Sequence, residues 1–320
     1  MESQAELAKK YGIYGFCYYH YWFRGGHKLL EKPLENMLHN PKVDIPFCLC
    51  WANENWTRRW DGGNNEIIIA QDYEDMKNLE QHVDYLCKFF SDPRYIKEDG
   101  KPLLLIYKPE LIPNVRKRMK YVRERVMKNG FPGIIIAAQH PSFRDEYGEF
   151  KDFGIDAYVQ FEPLFCKWGR PDTIASNRKK VKKRAVKKFL DALCILKPLQ
   201  KIQSLFLPEP EPRTEPRIDD YTSAWEKILA YRVEDRRLIA GAFIDWDNTP
   251  RKATGSVLKG AAPEKFREYM TRFVKKVRKE YSSPYIFFNA WNEWGEGAYI
   301  EPDERYGYAY LEALRDALNS

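Results

Sequence analysis

Apolar, β-branched and aromatic residues gather in runs of strand length at 13–19, 45–51, 103–107, 133–138, 156–161, 238–244 and 285–290. Between them, apolar positions recur every three or four residues and predict helices that include 74–90, 111–127, 263–279 and 308–318. Near-continuous apolar strands alternating with helices imply a parallel sheet covered on both faces, as an open doubly wound sheet or a closed barrel.

The polar residues decide between the two. Six of the seven runs end in chemistry-bearing segments: HYWFRGGH, ANENWTRRWDGG, QHP, EPLF, DWDNTPR and WNEWGEG. A barrel brings all its strand ends around one axial pocket, whereas an open sheet brings only those at its switch point to a ligand. The expected fold is therefore α/β, a (β/α)8 TIM barrel forming one domain over 1–320. Seven strands are one short, and because 2–10 reads as a helix leading into Ile13, the barrel is expected to lack its N-terminal first strand. An insertion at about 170–220 interrupts the pattern, with a basic amphipathic helix at 177–197 and a Pro/Glu-rich loop at 207–217. That helix reads as a solvated crossover helix or as a peripheral contact with an anionic membrane face. No recognised nucleic-acid motif accompanies the charge, so nucleic acid is not an expected partner.

Composition narrows the class. The chain has 320 residues and a net charge of +7, with 44% hydrophobic and 31% charged residues, which excludes disordered and multi-span membrane proteins. No apolar stretch resembles a signal peptide, so a cytoplasmic location, if anything peripheral to the inner membrane face, is expected. Cys17, Cys48, Cys50, Cys87, Cys166 and Cys194 lack metal-ligand spacing and read as core residues, and neither metal nor cofactor is expected. Aromatics make up 15% of the chain, eight of them between Tyr11 and Phe23, and aromatic faces stack on sugars or bases.

The densest chemistry lies in 289–297, NAWNEWGEG. Glu293 and Glu296 are three apart, so a helical turn would put both carboxylates on one side. Their mutual repulsion, and apolar walls supplied by Trp291 and Trp294, would raise one pKa and leave a proton donor beside a base. Glycosidic chemistry requires that division. The second cluster, 51–61, offers Trp51, Trp56 and Trp60 for stacking and Asn53, Glu54, Asn55, Arg58 and Asp61 for hydroxyl groups; the lesser alternative is that Trp51 and Trp60 are core while the charges pair among themselves. Tyr18, His20 and Trp22 alternate at period two and share one face of a strand, where His20 could orient a carboxylate or bind a hydroxyl. Further candidates for sugar contact are Gln139, His140, Glu162, Trp246, Asp247, Asn248 and Asn292. Asp245-Trp-Asp247 also matches the D-x-D pattern with which many glycosyltransferases hold a metal and a nucleotide sugar.

Together, YGIYGFCYYHYWF (11–23), CWANENWTRRWDG (50–62), WDNTPR (246–251) and NAWNEWGEGAYIEPD (289–303) resemble the WbsX-type family found in bacterial surface-polysaccharide gene clusters. That family is similar to glycoside hydrolase family 99, the endo-α-1,2-mannosidases and mannanases, which are (β/α)8 barrels with an N-E-W-x-E-G signature. The resemblance implies a retaining mechanism in which Glu293 deprotonates the sugar 2-hydroxyl and Glu296 is first general acid and then base. The sequence departs from the hydrolase pattern at Gly295 and Ala298, where His and Thr are usual. Expected activities are cleavage of a glycosidic bond in a bacterial oligo- or polysaccharide, glycosyl transfer in lipopolysaccharide, O-antigen or capsule synthesis, or carbohydrate binding without catalysis.

Overall fold

A computed structural model describes residues 1–58, 66–140, 153–168 and 214–320. Its frame is seven strands: β1 (Phe16–Trp22), β2 (Phe47–Trp51), β3 (Lys101–Ile106), β4 (Ile135–His140), β5 (Ala157–Gln160), β6 (Leu238–Phe243) and β7 (Ile286–Asn289). Each pairs in parallel with the next, in chain order. The helices are α1 (Glu2–Lys10), α2 (Lys32–His39), α3 (Met76–Phe90), α4 (Val115–Lys128), α5 (Leu164–Trp168), α6 (Tyr221–Ala230), α7 (Pro263–Glu280) and α8 (Ala309–Leu318).

Local chemistry sets the helix ends. The Asp75 and Asp220 side chains accept backbone N–H bonds from Lys77 at 2.8 Å and Ser223 at 2.7 Å, capping α3 and α6, while α7 starts at Pro263. Along α7, Phe266, Met270, Phe273, Val274 and Val277 are buried at helical spacing, and the charged residues take the opposite side. The predicted helices at 2–10, 74–90, 111–127, 263–279 and 308–318 match α1, α3, α4, α7 and α8 within a few residues; α2, α5 and α6 are additional.

The sheet curls. In a flat sheet, strands three places apart are separated by about 14 Å, yet the Tyr19 hydroxyl on β1 lies 3.1 Å from Gln139 Oε1 on β4. Asn289 on β7 likewise donates to the Glu162 carbonyl just beyond β5 at 3.0 Å. Among the described residues no ladder joins β1 to β7; side chains meet there instead, with the Phe16 and Trp291 rings 5.3 Å apart. The architecture is thus a half-barrel of seven curled parallel strands with helices packed outside.

Two expectations change. The first strand lies three residues later than predicted, because Tyr11 and Gly12 (φ +83°) turn the chain out of α1 and Gly15 passes too close to the Pro46 carbonyl for a Cβ. Cys17 is exposed rather than core: by the alternation of β1 it shares the inward face with Tyr19 and Tyr21, the less buried side of that strand, while Cys48, Cys50, Cys87 and Cys166 are buried as expected. The basic segment 177–197 and Cys194 lie outside the described residues. No helix among the described residues is long and apolar enough to cross a membrane.

Candidate active site

Beyond β7 the chain forms a small hairpin. Asn292–Glu293 pairs antiparallel with Ala298–Tyr299, and a 3-10 turn over Trp294–Glu296 makes its tip. Residues three apart eclipse in a 3-10 turn, so Glu293 and Glu296 project to the same side. The pair therefore sits on a hairpin tip, not at a helix start. Gly297 closes the turn at φ +60°, and a Cβ there would lie 3.0 Å from the Asp247 nitrogen. That nitrogen donates to the Glu296 carbonyl at 2.8 Å, docking the hairpin on the loop after β6.

This loop is held by its own side chains. Asp247 Oδ1 accepts from the Thr249 N–H and hydroxyl, at 2.9 and 2.6 Å, and Asn248 Oδ1 accepts from the Ser256 N–H at 2.7 Å. Trp246 is buried, its indole N–H on the Ser256 hydroxyl at 3.0 Å. The loop presents Arg251, which donates from Nη2 to Glu293 Oε1 at 2.7 Å and from Nη1 to Glu296 Oε1 at 3.2 Å. Burial pushes the Glu296 carboxyl up to about 7; Arg251 pulls against that rise and the charge of Glu293 adds to it. At neutral pH Glu296 can thus hold a proton or release it.

Phenols flank the pair. Burial raises Tyr21 to about 12, with the Glu293 carboxylate contributing, and burial likewise raises Tyr107, with Glu54 and Glu296 contributing. Both phenols therefore stay neutral at physiological pH. Trp56 packs edge-on against Tyr21 at 5.2 Å, and Glu54 pairs with Lys108, whose ammonium lies 5.1 Å from the centre of the Tyr107 ring. Tyr19 and Gln139 face the same interior.

Trp294 is 48% exposed and stacks on Tyr299, the ring centres 3.7 Å apart. One carboxylate, Glu301, accepts both signature indoles: Trp291 at 2.8 Å and Trp294 at 2.9 Å. It also accepts from Gln4 at 2.6 Å.

The structure thus brings Glu293, Glu296, Asn292, Trp291, Trp294, Asp247 and Asn248 together on two adjoining loops, with Glu54, Trp56 and Gln139 at other strand ends. Other candidates lie elsewhere. His20 and Trp22 are buried against α3: His20 Nε2 is 2.9 Å from His82 Nε2, and Trp22 donates to Asn78 at 3.1 Å. Burial lowers His20 to about 3, so its imidazole is neutral. Tyr18 shares this outward face, which period two requires once Tyr19 and Tyr21 point inward. Trp51 is buried beside His82, their rings 4.7 Å apart. The fully buried Asn53 amide pins two loops, donating to the Lys108 carbonyl at 2.7 Å and accepting its N–H at 2.7 Å. Glu162 is buried, accepts the Cys166 N–H at 2.9 Å, and is pushed by burial up to about 8. Arg58 is an exposed partner of Glu66 at 3.1 Å. Trp60, Asp61 and the His140 side chain lie outside the described residues.

Arg251, Tyr21, Tyr107 and Glu301 are absent from the predicted set. Arg251 and Glu301 fall inside the motifs already quoted, Tyr21 lies between His20 and Trp22 on the opposite face of the strand, and Tyr107 closes the apolar run 103–107 with no polar motif after it. Among the described residues no group of His, Cys, Asp and Glu is placed to hold a metal ion.

The sequence pattern of the family described as Glycosyltransferase WbsX matches residues 1–314. The chain belongs to the WbsX glycosyltransferase family. It is 32% identical over 321 residues to the uncharacterized protein WxcX of Xanthomonas campestris pv. campestris strain B100, covering 99% of this chain and 41% of that protein. It is 33% identical, with the same coverage, to WxcX of a second strain. The chain thus spans about two-fifths of the length of the curated relatives it matches. Among solved structures, a glycoside hydrolase-like protein superposes with a TM-score of 0.57 at 15% identity, over 99% of this chain and 84% of the other. The GH99 endo-alpha-mannosidase from Bacteroides thetaiotaomicron gives 0.52 at 12% identity, over 99% and 77%. At such identities these likenesses concern the fold alone.

Proposed function

We propose that this WbsX family member cleaves a glycosidic bond in a bacterial polysaccharide by a retaining mechanism, with Glu293 as base and Glu296 as acid. The observation that carries the reading is the pair itself: two carboxylates on one guanidinium at a strand-end mouth, one of them poised near neutrality. Glu293 takes the proton of the sugar 2-hydroxyl, O2 attacks C1 to form a 1,2-anhydro sugar, and the C1–O bond to the leaving sugar breaks as Glu296 protonates that oxygen. Glu296 then deprotonates a water that opens the three-membered ring at C1, and Glu293 returns its proton to O2. Tyr21 and Tyr107 supply neutral donors along the path, and Trp294 offers an exposed ring to a pyranose face. In this reading the half-barrel belongs to a complete (β/α)8 barrel.

The family's description favours a second reading, glycosyl transfer from a nucleotide sugar. One experiment separates them. The protein is incubated with bacterial surface polysaccharides and α-1,2-mannan, with neither nucleotide sugar nor metal, and released oligosaccharides are read by mass. Release supports hydrolysis; sugar addition only when a nucleotide sugar is supplied, lost in Asp245→Ala and Asp247→Ala, supports transfer and overturns the first reading.

A further inference from the structure

We propose that Arg251 assigns the roles within the carboxylate pair, holding Glu293 as the base and leaving the proton to Glu296, and that Gly295 is the opening that admits it. This rests on the reading of the pair as base and acid. Two carboxylates face one guanidinium, so one negative charge is unmatched, and a proton settles on the carboxylate that the cation serves less well. The two contacts are unequal. At 2.7 Å the bond to Glu293 has the length of a full charge-assisted hydrogen bond, whereas the bond to Glu296 is stretched to 3.2 Å. Glu296 is also the more enclosed, its side chain 21% accessible against 31% for Glu293.

The space for this arrangement comes from one residue. A Cβ on Gly295 would stand 2.7 Å from Arg251 Nε, 3.1 Å from Nη2 and 3.3 Å from Cζ. Gly295 does not occupy the left-handed region, so its backbone would accept any residue, and glycine is demanded by the guanidinium alone. Arg251 is delivered from a braced loop: its N–H bonds the Asn248 carbonyl at 3.2 Å, and Gly255 lies too close to Asn248 Oδ1 for a Cβ. The arginine is thus a positioning residue whose reach depends on a glycine in the neighbouring loop.

The test is carboxyl 13C NMR on the whole chain labelled at glutamate, with Glu293→Gln and Glu296→Gln assigning the resonances. In the parent the proton taken up near neutral pH appears on Glu296 alone. In Arg251→Gln the Glu296 midpoint rises by about 1 pH unit or more, since an opposite charge has been removed, and the proton becomes shared with Glu293. Gly295→Ala, which displaces the guanidinium without removing it, shifts the midpoint in the same direction at an unchanged melting temperature. Arg251→Lys restores part of the shift because the charge stays while the two-pronged contact is lost. An unmoved Glu296 midpoint in both Arg251→Gln and Gly295→Ala overturns the proposal, and Gly295→Ala decides alone if Arg251→Gln does not fold. The titration needs no substrate: if it behaves as stated while Glu293→Gln and Glu296→Gln retain full turnover, the catalytic reading fails and the charge assignment stands.

Discussion

Glu301 carries a prediction specific to this arrangement, because a single carboxylate fixes the two tryptophans flanking the proposed acid and base. Glu301→Ala leaves the indole N–H groups of Trp291 and Trp294 and the amide of Gln4 without their acceptor. A hydrogen bond to a charged group contributes about 1.5–3 kcal/mol when neither partner can turn to water. Trp291 is half-buried and bears that loss nearly in full, whereas Trp294, 48% exposed, regains water and bears little. The expected total is about 2–4 kcal/mol, with a melting temperature lower by about 3–6 °C. Glu301→Gln, which keeps the shape but replaces one acceptor by a donor, should lose about half as much. Calorimetry gives the stability, and acrylamide quenching shows whether indoles become more accessible. With a turned-over polysaccharide in hand, KM should rise more than kcat falls, since the aromatic platform and not the carboxylate pair has been loosened. A Glu301→Ala protein that melts within about 1 °C of the parent with unchanged quenching would refute this reasoning.

Asn53→Ala should destabilise the protein by about 2–3 kcal/mol in urea titrations, because it strands the Lys108 N–H and carbonyl beside a fully buried side chain, while the Tyr73 hydroxyl keeps its bond to the residue-53 backbone carbonyl; a neutral effect would mean that the amide is not a structural pin. Burial pushes Glu162 up to about 8, Glu296 to about 7 and Asp245 to about 6. The native state keeps these protons to higher pH than the unfolded chain does, so their contribution is complete below about pH 4 and is lost as pH rises toward 8. Glu162→Gln should flatten the upper part of that decline and raise stability at pH 8, and an unchanged slope would count against a buried neutral carboxyl. Gly297→Ala places a Cβ 3.0 Å from the Asp247 nitrogen in a left-handed turn, and should impair turnover more than any other substitution in the hairpin outside the carboxylates.

Most of the frame was legible from apolar runs and helical periodicity, because parallel strands buried on both faces leave so plain a pattern. The β1 boundary was not, since aromatics pack on either face of a strand and continue the apolar signal from Ile13 to Trp22 without a break. The same ambiguity misplaced His20 and Trp22. Period two shows which residues share a face but not which face is inside, and the inward tyrosines Tyr19 and Tyr21 look like the outward Tyr18. Asn53 and Glu162 were marked as polar strand-end residues, a description that fits a loop pin as well as a ligand contact. The meeting of Glu293 and Glu296 was legible because a spacing of three puts two side chains on one side of a tight turn. Arg251 lies 42 residues before Glu293, and only the fold brings it there.

The measurement that bears most directly on the central claim compares the parent with Glu293→Gln and Glu296→Gln on a polysaccharide that the protein cleaves and on the glycosyl fluoride of the released sugar. Fluoride departs with little help from a proton, so a missing acid is felt less. The proposed mechanism requires that Glu293→Gln loses both activities, and that Glu296→Gln loses the polysaccharide but still releases fluoride in the first turnover, slowed afterwards because the water that opens the 1,2-anhydro ring lacks its base, and without the fall above about pH 7 that the parent shows on the polysaccharide. Parental turnover of the polysaccharide by either variant would contradict it.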